Sequence, residues 1–165
     1  MKKIKETGWK QYFIRRKVIT GIFFKSGCDK KHSIFLAGPT PRDKDAKSWR
    51  PEAWKILFDI EYDGIVIIPE SERIPEKFNP MEWEHFYLTH CDVIAFWVPR
   101  EIEKMPAFTT NIEFGRFCSD NRSLYGRPDD SPKNRYLDWM YKKFRNLEPY
   151  NTLSGLMKAA VNHNK

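Results

Sequence analysis

Glu113 is the residue best placed to do chemistry. It stands in Thr109-Thr110-Asn111-Ile112-Glu113-Phe114-Gly115, where the pattern predicts a helix over residues 110–119. In a first helical turn, exposed N–H groups and the helix dipole hold a carboxylate ionised, the state a nucleophile needs. The same tetrapeptide, Thr110-x-x-Glu113, is also a capping box, in which the glutamate only satisfies the backbone of its own helix. Gly115 costs about 1 kcal/mol relative to alanine in a helix interior. Its presence points to close approach by a ligand or backbone, or to packing on a neighbouring strand.

Other candidates lie upstream. Asp92 is a carboxyl immediately before an apolar run, residues 93–98. The turn Gly38-Pro39-Thr40-Pro41-Arg42 can bring backbone close to a ligand, and Arg42 can bind a phosphate. Trp49 and Trp97 have rings able to stack on a base, although a chain with six tryptophans uses most of them in its core. His32, His85, His90 and His163 have no ligand spacing, so neither a metal nor another cofactor is expected. Cys28, Cys91 and Cys118 are an odd number at wide spacing. They fit neither a disulfide framework nor a metal knuckle, and a reducing cytoplasm is the expected setting.

These residues need elements to position them. Residues 34–37 form a compact apolar run ended by Gly38-Pro39, as a buried strand is. A helix follows with Ser48 at its cap and Pro51 in its first turn, carrying Trp54, Leu57 and Phe58 at helical spacing. The β-branched run 65–68 predicts a second strand buried on both faces. A short helix over 81–89, a strand over 93–98 and the helix of Glu113 come next, then a short strand at 124–126. Ser131-Pro132 marks the start of a helix to about Arg145, and a last helix spans 152–162. Strands alternating with helices imply a three-layer α/β fold, a parallel Rossmann or flavodoxin-like sheet with helices on both faces. Ligands of such sheets bind beyond the carboxyl ends of the strands. An aspartate at the start of a strand lies at the opposite end.

Length and composition agree with a folded protein. The 165 residues suffice for one core, and 41% hydrophobic with 15% aromatic residues is far from a disordered composition. The formal charge is +7, with Lys2, Lys3, Lys5, Arg15, Arg16 and Lys17 among the basic residues crowded before position 32. Residues 1–31 therefore read as a basic N-terminal extension and residues 32–165 as the α/β domain. Such an arm can bind nucleic acid or draw in an anionic substrate, or can be a plain solvated extension, which is favoured here. No zinc-finger, RNP or phosphate-loop pattern accompanies it. The longest apolar run there, residues 18–24, is broken by Thr20 and Gly21 and is too short to span a bilayer. It can pair as an edge strand, and residues 9–13 add a small aromatic patch. No membrane association is expected.

Taken together, Phe35-Leu36-Ala37-Gly38-Pro39, Cys91-Asp92 and Thr109-Thr110-Asn111-Ile112-Glu113-Phe114-Gly115 resemble the nucleoside 2-deoxyribosyltransferase superfamily. Gly126-Arg127-Pro128-Asp129-Asp130, followed by Arg135-Tyr136-Leu137-Asp138, resembles its deoxyribosyltransferase-like branch. The resemblance covers roughly residues 33–141. It implies an enzyme in which Glu113 is the nucleophile toward a nucleoside or nucleotide, forming a covalent glycosyl intermediate. It places Asp92 near the base, where a carboxyl can protonate the leaving ring nitrogen. Gly38, Pro39, Thr40, Arg42, Thr110 and Asn111 become the substrate-binding set, and a homo-oligomer is implied. One departure stands out: the loop 104–110 lacks the acid that the family commonly carries before its nucleophile. Water then competes with a second base as acceptor, so cleavage and base exchange are both open. The alternative is a module of the same fold that binds or senses a nucleotide without catalysis.

Overall fold

The computed structural model describes Val18–Ile19 and residues 32–43, 45–70 and 79–163. The aromatic patch at 9–13, the basic cluster of the N-terminal extension and most of the loop before the second helix lie outside the described residues. In chain order the elements are β1 Val18–Ile19, β2 Ser33–Ala37, α1 Arg50–Asp59, β3 Ile65–Ile67, α2 Pro80–His90, β4 Val93–Trp97, α3 Phe108–Phe117, β5 Ser123–Gly126, α4 Arg135–Arg145 and α5 Leu153–Asn162.

The strands form one sheet in the order β1-β3-β2-β4-β5, and every pairing is parallel. From β2 the chain winds outward to β3, then crosses back over β2 to β4 and outward again to β5. The point where winding reverses lies between β2 and β4, the crevice position of a flavodoxin-like sheet. The edge pairing expected of residues 18–24 is met by Val18–Ile19, which lies alongside Val66 and Ile67. The rest of that segment is outside the described residues.

Strand residues alternate between two cores, as the two-residue period of a strand requires. Ile34, Leu36, Val66, Ala95, Trp97 and Leu124 face α1 and α5, meeting Leu57, Leu156, Met157 and Ala160. Phe35, Ala37, Ile67, Ile94, Phe96 and Tyr125 face α2, α3 and α4, meeting Leu88, Phe114 and Tyr141. Both faces are covered, which is why β2 and β4 are buried at every position. Trp49 and Trp97 belong to the first of these cores, so neither indole serves as a stacking platform.

The starts of α1, α3 and α4 differ from the sequence expectation: α1 has Trp49, not Ser48, as its cap residue. Helix α3 begins at Phe108, with the left-handed Ala107 (φ 61°) as its cap residue and no side-chain cap. Glu113 therefore lies in the second turn, and Thr110-x-x-Glu113 is not a capping box. Helix α4 begins at Arg135, because Ser131 is engaged elsewhere. Its hydroxyl donates to the Val98 carbonyl at 2.8 Å and accepts from the Arg100 backbone N–H at 2.8 Å, tying this loop to the end of β4. Helix α5 starts as read from sequence, with the Thr152 hydroxyl accepting from the Gly155 N–H.

Candidate active site

Helices in a parallel sheet run back against the strands, so the first turns of α1, α2 and α3 gather at the carboxyl ends of β2 and β4. A cleft of about 260 Å³ opens there, bounded by the loop after β2, the start of α3 and side chains from α1 and α2. This lies slightly below the ~300–1,000 Å³ of common small-molecule pockets.

Of the residues expected to form the site, Gly38, Pro39, Thr40, Arg42, Thr110 and Glu113 line this cleft. Gly38 has φ of 153°, and a Cβ there would sit 2.2 Å from the Trp97 carbonyl oxygen. Only glycine lets the turn press against the end of β4. Thr110, 3% exposed, lies one turn ahead of Glu113 on the same helical face. Arg42 stacks its guanidinium over the Phe108 ring at 5.1 Å, bridging the mouth between the β2 loop and α3.

Two expected residues are not in the cleft. Asp92 sits at the opposite end of β4, where its carboxylate accepts from the Ser33 backbone N–H at 2.8 Å and the Ser33 hydroxyl at 2.6 Å. The register that pairs Ile34 with Val93 sets these two residues side by side, so Asp92 ties the starts of β2 and β4 together. Asn111 points away from the cleft, and its side-chain oxygen accepts from Arg100 Nη2 at 2.7 Å. The buried Arg100 also donates to the Pro106 carbonyl and to Asn134 Oδ1, anchoring the starts of α3 and α4. Gly115 is exposed, and a Cβ there would meet open space. No backbone or side chain of the described residues closes on that glycine.

The structure adds charged residues that the sequence reading missed. Glu84 of α2 reaches the cleft and shares a hydrogen bond with Glu113. Burial, then repulsion from Glu84, pushes the Glu113 carboxyl up to about 8, against the pull of Arg50. Burial also raises Glu84, offset by Arg50 and by the bond with Glu113. Two half-buried carboxyls in contact disfavour being ionised together. The first-turn position expected for Glu113 is corrected: it lies past the reach of the helix N-terminus, and burial with Glu84 beside it disfavours its ionised form.

Arg50, 1% exposed, lines the same cleft as this pair. Its Nε donates to the Leu36 carbonyl at 3.2 Å, Nη2 to the Gly38 carbonyl at 2.7 Å, and Nη1 to the Pro39 carbonyl and the Thr40 hydroxyl. Glu70, just past β3, lies 3.3 Å from Nη1 and accepts from the Ser48 hydroxyl at 2.6 Å. A signal for both missed residues existed in the sequence. Arg50 shares the inward stripe of Ala53 and Leu57, and Glu84 that of Tyr87 and Leu88. A charge on a core-facing stripe is uncommon unless it is paired.

Among the described residues no cluster of three or more His, Cys, Asp or Glu is arranged to hold a metal, and no helix is long and apolar enough to cross a membrane. No curated protein matches the chain. Residues 31–130 match the family described as nucleoside 2-deoxyribosyltransferase like, and the chain belongs to that family.

Proposed function

We propose that the protein cleaves the N-glycosidic bond of a nucleoside or nucleotide through a covalent glycosyl-Glu113 intermediate. The observation that carries this reading is the contact of Glu84 with Glu113 in the cleft at the switch point, in a chain of this family. One group must attack and the other must hold a proton, and a shared proton serves both needs. With the proton on Glu84, Glu113 is a carboxylate able to bond to the anomeric carbon as the base leaves. Glu84 gives its proton to the departing ring nitrogen. Water then adds its hydroxyl to the sugar carbon and its proton to Glu84, releasing Glu113. Glu84, which shares the cleft with Glu113, is the better-placed acid than Asp92. Hydrolysis is favoured over base exchange because the loop 104–110 offers no acid to hold an acceptor base.

The test is release of free base from a panel of deoxynucleosides and nucleotides by the purified protein. Glu113→Ala abolishes release on this reading, and release that survives the substitution refutes it. A second reading, a nucleotide-sensing module, draws on the same acid-free loop. It predicts ligand-dependent thermal stabilisation without turnover, since a ligand that binds only the native state raises apparent stability. A second copy of the chain fits the exposed Phe108, Ile112, Tyr136 and Trp139 of α3 and α4, with Phe108 extending that surface to the mouth of the cleft.

A further inference from the structure

We propose that Arg50, clamped by Glu70, is the positioning residue of this site: it holds the Gly38–Thr40 turn in place and sets how Glu84 and Glu113 share their proton. The inference rests on the functional reading above, to which it adds the source of the nucleophile's charge state. Its basis is geometric. A guanidinium 1% exposed donates to three carbonyls, Leu36, Gly38 and Pro39, and to the Thr40 hydroxyl. Its carboxylate partner, Glu70, is itself fixed by Ser48. One side chain therefore braces the turn that lines the cleft and places a positive charge in the same cleft as the carboxyl pair.

Among the described residues, Arg50 from α1 and Arg42 from the β2 loop are the cations lining the cleft, and Glu84 and Glu113 are its acids. Glu70 lies behind Arg50 and neutralises part of its charge. Arg50 favours ionisation of both Glu84 and Glu113, while Glu70 opposes that effect through Arg50. The two residues of the clamp must therefore act in opposite directions on the pair. A merely structural brace has no such signature.

The experiment is a titration of glutamate carboxyl carbons by 13C NMR in the full-length protein, alongside the pH profile of base release. Arg50→Gln moves the Glu113 midpoint up by about 1–3 pH units, the span of a lost opposite charge. Glu70→Gln, at a partly exposed position, moves it down. Arg50→Lys keeps the charge and loses the fork of carbonyl contacts. It leaves the midpoint in place and raises KM more than it lowers kcat. Midpoints that stay fixed in Glu70→Gln, or that move the same way in both charge variants, overturn the proposal. If Arg50→Gln does not fold, Glu70→Gln and Arg50→Lys still decide it. Because the titration needs no turnover, shifted midpoints in a protein that releases no base would refute the enzymatic reading and leave the charge clamp standing.

Discussion

At neutral pH a carboxyl with its pKa pushed up to about 8 keeps its proton most of the time, so the proposed mechanism requires Glu84 to take that proton over before Glu113 attacks. This dependence has a thermodynamic consequence. The folded pKa lies above the ordinary value of 4.5, so the stability Glu113 contributes is full below about pH 4.5 and is lost as pH rises through 8. Glu113→Gln, which cannot ionise, should melt at a higher temperature than the wild type at pH 9, with the gap closing toward pH 4.5. A gap independent of pH would remove the buried-pair account. Glu84→Gln should lower kcat by about 10²–10⁴-fold, the span of a lost general acid. Asp92→Ala should leave kcat per folded molecule unchanged while costing about 1–3 kcal/mol of stability, because the Ser33 N–H and hydroxyl lose their acceptor. Steady-state kinetics beside denaturant unfolding separates the two aspartate and glutamate roles.

Among the elements, α3 shows most clearly what sequence conveys and what it does not. Its apolar face and its glutamate were legible, because Phe114 and Phe117 recur at helical spacing. Its start was not. Ala107 takes a left-handed conformation that alanine seldom adopts, and no cap residue marks the turn. The preceding loop is held from within by Arg100, which donates to the Pro106 carbonyl and also to Asn134 Oδ1 before α4, a tie between distant segments that no local pattern encodes. The error of two residues moved Glu113 from the first turn to the second and removed the dipole argument. Likewise Ser131 looked like a cap and proved to be a tie to Val98 and Arg100. Gly115 illustrates the reverse case, a glycine with no steric demand. In the exposed interior of α3, Gly115→Ala should stabilise the protein by about 0.5–1 kcal/mol through helix propensity alone, read from the denaturant midpoint at unchanged slope. A destabilisation would mean that something closes on this position.

Over the whole molecule, the parallel three-layer fold was legible because its apolar runs, β-branched strands and breakers agree with one another. The fold sets where the cleft lies: the connections after β2 and β4 part at the switch point, and α1, α2 and α3 bring Arg50, Glu84 and Glu113 there from distant parts of the chain. The site itself was half legible. The Gly38 turn and Glu113 carried motifs, whereas Arg50 and Glu84 were visible only as charges on inward stripes. Asp92 lies at the amino end of β4, as its place just before the strand implied, and away from the cleft. The central claim, that this assembled cleft makes a sugar-enzyme bond, is tested most directly by intact-protein mass spectrometry. Acid-quenched samples taken during incubation with deoxynucleosides and nucleotides, followed by peptide mapping, should show a glycosyl adduct on the peptide bearing Glu113, absent from Glu113→Gln. Base release by the wild type with no adduct, and undiminished release by Glu113→Gln, would contradict it.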